Sequence, residues 1–152
     1  LIPAILVMGA VLVAQTGCAK SKPLRVSLEG TTDLNGGYAC RVRIYQLKAY
    51  ESFLSAPLET FWSGRPQAFE ADLAETRAEE VTLEPGTSED VTIKISKETR
   101  FIGAAADFRR PDRDAWRKVL PFSAKKGLIP APLRKGQSIT LTVSSRGIEI
   151  KT

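Results

Sequence analysis

Between residues 24 and 150 the chain repeatedly alternates apolar and polar side chains. Leu24, Val26 and Leu28 are interleaved with Arg25 and Ser27, Cys40, Val42 and Ile44 with Arg41 and Arg43, and Val81 and Leu83 with Glu80, Thr82 and Glu84. Further along, Val91, Ile93 and Ile95 alternate with Thr92, Lys94 and Ser96, Ile139, Leu141 and Val143 with Ser138, Thr140 and Thr142, and Ile148 and Ile150 flank Glu149. A period of two places every second side chain on one face, so each run predicts a strand buried on one side. The breaks carry turn chemistry: Asn35-Gly36-Gly37, Pro85-Gly86, Lys135-Gly136 and Arg146-Gly147. Many short strands punctuated in this way predict an all-β fold, two sheets packed as a β-sandwich.

Two segments break the alternation. Residues 48–75 place Tyr50, Phe53, Leu54, Leu58, Phe61, Trp62, Phe69 and Leu73 at helical spacing, and Pro57 and Pro66 divide the segment into short helices. Residues 101–108, Phe-Ile-Gly-Ala-Ala-Ala-Asp-Phe, are apolar on both faces. This predicts a central strand with the opposite sheet on one side and the helices on the other, where Gly103 and the alanines permit close approach.

The N-terminus follows a different pattern. Residues 1–17 carry no charge, and the apolar run Leu1–Ala14 breaks into Gln15-Thr16-Gly17-Cys18. The run is shorter than the roughly 20 residues of a membrane-spanning helix and suits the apolar region of an export signal. The alternative, a buried core helix, sits poorly with the charged, proline-containing stretch Ala19–Pro23 that follows. Small residues before a cysteine form a lipobox, in which Cys18 receives the lipid; Gln15 stands where such signals usually carry Leu. No basic start precedes the apolar run, so the signal is expected to be N-terminally incomplete. The expected organisation is a signal at 1–17, a lipid tether at 18–23 and one β-sandwich domain over 24–152 with its helical insertion near 48–75. Ala19 bears on sorting: in enterobacterial rules an Asp after the lipidated cysteine retains a lipoprotein in the inner membrane, so Ala19 implies the outer membrane.

Composition narrows the chemistry. The chain has 152 residues, a formal net charge of +5 and no histidine, which removes histidine-based triads and histidine metal sites. No catalytic residue, metal site or cofactor is expected. Glu79 and Glu80 sit in a charge run that reads as solvated surface, and Asp33-Leu34-Asn35-Gly36 has only a fragment of a calcium loop's ligands. Cys40 reads as a small buried thiol. Charge is segregated: residues 70–90 hold eight acidic side chains against Arg77, and residues 109–135 hold nine Lys or Arg against Asp112 and Asp114. An exported protein meets little nucleic acid and the basic stretch has few aromatics to stack bases, so no nucleic-acid partner is expected. A solvated face, lipid headgroups or an acidic partner account for it equally well.

A lipobox followed by Asp33-Leu34-Asn35, Val42-Arg43-Ile44-Tyr45-Gln46-Leu47, Phe53, the block Phe101-Ile102-Gly103-Ala104-Ala105-Ala106-Asp107-Phe108-Arg109 and then Trp116-Arg117 resembles the outer-membrane lipoproteins of type VI secretion, the TssJ (SciN/VasD) family. The resemblance covers nearly all of residues 18–150. It implies a transthyretin-like sandwich with an added helical element and no enzymatic activity. It further implies a structural role: anchoring the secretion membrane complex to the outer membrane by binding the periplasmic domain of TssM, with a TssL-like protein in the same complex. In the family the contact uses the loop between the first two strands. On this chain that is residues 29–37, with Thr31, Thr32, Asp33, Leu34, Asn35, Gly36 and Gly37 as the expected partner-binding residues and Leu34 as the apolar anchor; the alternative for Leu34 is a side chain folded back onto the sandwich edge. A plain hairpin tip at Asn35-Gly36 is the competing reading of the same residues. The competing function is a periplasmic binding or pilot lipoprotein of another envelope assembly.

If Cys18 carries the lipid, Cys18→Ser yields a folded protein that no longer incorporates palmitate in cells. Unchanged labelling of the variant would remove the lipobox assignment.

Overall fold

The computed structural model describes residues 23–63, 67–122 and 138–151. The expectations for the export segment, for Cys18 and Ala19, and for the basic residues 123–137 lie outside the described residues. Eight strands form two four-stranded sheets. The first contains β1 (Leu24–Gly30), β4 (Ser88–Ile93), β7 (Ser138–Val143) and β8 (Ile148–Lys151) in the order β4-β1-β7-β8. The second contains β2 (Cys40–Leu47), β3 (Glu79–Leu83), β5 (Phe101–Ala106) and β6 (Arg117–Pro121) in the order β3-β2-β5-β6. All pairings are antiparallel except β1 with β7.

The alternating sets build the core between the sheets. Leu24, Val26, Leu28, Ile139, Leu141, Val143, Ile93 and Ile148 of the first sheet are buried, as are Cys40, Val42, Ile44, Ile102, Ala104 and Ala106 of the second. Cys40 is a free, buried thiol. Burial, reinforced by the Asp107 carboxylate, pushes it up to about 12, so it stays protonated and unreactive at neutral pH.

Along β5 and the C-terminal half of β2 the second sheet is buried on its outer face as well. Register places Tyr45 opposite Gly103 and Leu47 opposite Phe101 on that face. The segment after β2 folds over it as α1 (Glu51–Ser55), α2 (Leu58–Trp62) and a 3-10 segment (Gln67–Asp72). Each element donates one phenylalanine: Phe53, Phe61 and Phe69 are all fully buried against Tyr45. Phe61 and Phe69 stack at 4.5 Å between ring centroids, and Trp116 meets Phe61 edge-on at 4.9 Å. Edge-to-face contacts of this kind add about 0.5–1.5 kcal/mol per pair beyond their buried area. Trp116 is buried and Trp62 half-buried.

Helices this short are not stable on their own, and α1 is held at both ends by buried polar side chains. The Asp72 carboxylate accepts a hydrogen bond from the Phe53 N–H at 2.9 Å. The Arg117 guanidinium donates to the carbonyls of Phe53 (3.1 Å) and Ala56 (2.5 Å) and to Asp114 (3.0 Å). A negative group at the helix start and a positive group at its end match the free backbone groups there. This accounts for a strand that alternation does not reveal. β6 lies in the basic run, and its Arg117 is buried because helix carbonyls replace water around the guanidinium. Gln46 does comparable work at the far end of β2. Its amide donates to Lys94 O and accepts from Ser96 N–H and Thr99 Oγ1.

Gly103 is where the sheet and α1 come closest. A Cβ there would lie 2.9 Å from both Leu47 Cδ1 and Phe53 Cζ, and both side chains are fully buried with nowhere to move. Gly103→Ala is therefore expected to lower stability by about 1–3 kcal/mol, the range for overpacking a filled core. Chemical denaturation measures it, and an unchanged midpoint would show that the helical layer is looser than these distances imply.

Candidate partner interface

One end of the sandwich gathers the connections 31–39, 84–87, 107–116 and 144–147, because β1 and β7 run toward it in parallel and β5 returns to it alongside β2. The expected binding loop is among them. Its boundaries shift: Glu29 and Gly30 belong to β1, and the loop runs from Thr31 to Ala39. It is not a hairpin tip. β1 and β2 lie in different sheets, so the segment crosses from one sheet to the other.

Inside the loop, residues separate into two classes. Leu34 begins a 3-10 turn, Leu34–Gly36, and its side chain is fully buried in the core. The expectation that Leu34 anchors a partner is thereby corrected. A crossing between sheets passes over the open end of the core, and an apolar side chain there gains more from filling that end than from facing water. Asn35 is also buried, at 5% exposure. Its backbone N–H donates to Ser144 O, its Nδ2 donates to Ala39 O at 2.9 Å, and its Oδ1 accepts from the Arg109 N–H at 2.8 Å. One residue thus ties loop 31–39 to the loops after β5, through its side chain, and β7, through its backbone. Asn35 takes φ 49°, a left-handed conformation that asparagine tolerates better than most residues. These bonds make Asn35 first a support for the loop.

Thr32, Asp33, Gly36, Gly37, Tyr38 and Ala39 are exposed, and Thr31 is half-buried. Asp33 accepts a hydrogen bond from the Thr31 hydroxyl at 2.6 Å, while Gly36 and Gly37 carry φ of 69° and 90° at the turn. Backbone bonds fix the base: Thr31 N–H to Val143 O, Gly86 N–H to Thr31 O and Gly37 N–H to Leu34 O. The loop is a built surface, with polar and glycine residues presented outward from an internal Leu-Asn pair.

Sequence reasoning missed what surrounds it. Tyr38 is 57% exposed, the most exposed large side chain with apolar character among the described residues. The Arg109 guanidinium lies over its ring at 4.1 Å. Asn35, Gly36, Tyr38, Arg109, Arg110, Ser145 and Arg146 line an open cleft of about 500 Å³. The signals lie in the sequence in other guises: Tyr38 falls one residue past the expected loop, Arg109 and Arg110 belong to the general basic run, and Arg146 stands in a turn dipeptide.

The buried position of Leu34 sets an outcome. Leu34→Ala is expected to cost about 2–5 kcal/mol of stability, as for other leucines truncated in a core, and to affect a partner only through the fold. Thermal melting decides it: a melting temperature equal to that of the parent protein would return Leu34 to the surface.

The fold and sequence compare consistently with known proteins. Residues 22–146 match the family model of the type VI secretion lipoprotein, VasD, EvfM, TssJ. Among solved structures, the T6SS lipoprotein TssJ1 from Pseudomonas aeruginosa is similar in fold at 24% identity, with a TM-score of 0.70, over 86% of this chain and 95% of that one. A chain of the type VI membrane complex is 27% identical over 87% of this chain and 99% of that one, with a TM-score of 0.72. A chain in the structure of the T6SS protein TssM C-terminal domain from EAEC is 28% identical over 86% of this chain and 98% of that one, with a TM-score of 0.65. No curated protein matches. With the family model spanning almost all of the sandwich, this chain belongs to the type VI secretion lipoprotein (TssJ) family.

Proposed function

We propose that this protein is the structural, non-enzymatic lipoprotein that holds a type VI secretion membrane complex to the outer membrane. Its lipid is on Cys18, Ala19 directs it outward, and the exposed residues of the 31–39 loop bind the periplasmic domain of a TssM-like inner-membrane protein that assembles with a TssL-like one. The family match over residues 22–146 carries this reading. Similarity to chains of the type VI membrane complex and of the TssM C-terminal domain structure supports the partner.

The geometry fits that task. The tether enters at Leu24, and the loop leaves β1 after Gly30. Seven extended residues at about 3.3 Å each put the two ends roughly 20 Å apart. A domain hung from its lipid by the Leu24 end presents the 31–39 loop away from the membrane, toward a partner that reaches across the periplasm. The buried Leu34 and Asn35 hold that loop in one conformation before binding, which lowers the ordering cost of association.

Binding of the purified TssM-like periplasmic domain, measured by calorimetry, tests the proposal. Thr32→Arg and Tyr38→Ala change exposed side chains only, so they should leave the melting temperature in place and weaken binding by about 1–2 kcal/mol or more. Deleting residues 31–36 is a poor test, since it would remove two buried residues along with the surface. Full affinity in both substituted proteins would move the interface off this loop.

A further inference from the structure

The cleft beside the loop has a charge character of its own. Arg109, Arg110 and Arg146 line it, and no carboxylate does. Among the described residues none of the three is ion-paired; the ion pairs present are Arg41–Asp107, Arg43–Glu80 and Arg117–Asp114. The nearby carboxylates are otherwise engaged or point elsewhere: Asp107 holds Arg41 at 2.6 Å, Asp114 holds Arg117 at 3.0 Å, Asp33 holds the Thr31 hydroxyl, and Asp112 does not line the cleft. Three guanidinium groups around about 500 Å³ repel one another unless an anion joins them.

These arginines contribute nothing visible to the fold. Arg109, Arg110 and Arg146 are exposed, and the hydrogen bonds at Arg109 and Arg146 that brace the loops use their backbone N–H and C=O. Arg109 is nevertheless held in place over Tyr38, an arrangement that orients a guanidinium while leaving its edge open to a carboxylate. Planar guanidinium forks bind carboxylates through two parallel hydrogen bonds, the strongest polar contact available at such a surface.

Resting on the partner reading above, we infer that the Arg109, Arg110 and Arg146 cleft receives an acidic segment of the periplasmic partner. Carboxylates of that segment sit between the three guanidiniums, and its backbone runs along Gly36 and Tyr38. The cleft is continuous with the proposed loop, which supplies Asn35 and Gly36 to its wall. It also lies at the end of β1 opposite the tether, so it faces the periplasm instead of the anionic headgroups at the anchor. Charge complementarity here sets the rate and register of docking, with the loop supplying the shape.

The test compares three proteins with the Cys18→Ser substitution, so that no lipid is attached: the parent, Arg110→Ala/Arg146→Ala, and Arg25→Ala as a control on an exposed cation near the tether end. Each is titrated with the TssM-like periplasmic domain at about 0.05 M and about 0.5 M salt, where screening lengths differ several-fold. The expected result is a loss of about tenfold or more in affinity for the double variant at low salt, a smaller loss at high salt, and no change for Arg25→Ala. Melting temperatures should agree across all three. If the parent binds and the double variant binds equally well at both salt concentrations, the acidic-segment inference is wrong while the partner reading stands. If the parent itself does not bind, the partner reading fails and takes this inference with it. Cosedimentation with phosphatidylglycerol vesicles that the double variant loses, combined with unchanged protein binding, would make the cleft a lipid-headgroup site and overturn the inference.

Discussion

The sheet formed by β2, β3, β5 and β6 is apolar on both faces along β5 and the C-terminal half of β2, and most of the structure follows from the need to cover both there. On β2 this is visible residue by residue: Val42 and Ile44 face the other sheet while Tyr45 and Leu47 face outward, and all four are buried. An ordinary sandwich leaves its outer faces to water. Here the outer face takes a second hydrophobic layer made from three short elements that could not persist alone. Their phenylalanines meet at Tyr45, and the missing side chain of Gly103 makes room for Phe53. The small residues of β5 follow from the same constraint, since a strand pressed from both sides has little space for Cβ branches.

Polar side chains finish what the apolar layers begin. Asp72 and Arg117 complete the two ends of α1, Gln46 holds the chain between β4 and β5, and Asn35 joins its own loop to the one after β5 at the far end. Each is buried and hydrogen-bonded, which offsets the cost of burying a polar group; of these four side chains, only Arg117 keeps a buried donor, its Nε, without a partner. They act where the alternating strands give way to irregular backbone, where free N–H and C=O groups need partners.

The functional consequence is an end of the molecule that is rigid within and polar without. Loop 31–39 spends Leu34 and Asn35 on its own support, and that leaves Thr32, Asp33, Gly36, Gly37 and Tyr38 to face outward. Loops positioned by a rigid scaffold are common carriers of recognition. A protein whose work is to join a membrane anchor to a periplasmic assembly gains from such a surface, because little ordering remains to be done on binding.

Alternation along the chain determined six of the strands and the face each buries, and the doubly apolar 101–108 segment determined a central strand, because period and burial are local properties of sequence. Pro57 divides α1 from α2 for an equally local reason. Motif order placed the chain in its family and pointed to the loop after the first strand. What only tertiary structure decided are the residues whose environment comes from distant parts of the chain. Arg117 reads as a solvated cation until helix carbonyls more than sixty residues earlier surround it. Leu34 reads as an exposed anchor or as a side chain folded onto the sandwich until the crossing between sheets carries it over the open end of the core. Tyr38, Arg109 and Arg146 are unremarkable in three separate stretches, and they become one cleft only when β1, β5 and β7 deliver their loops to the same end. Burial and charge clustering are sums over neighbours in space, and local sequence holds only the neighbours along the chain.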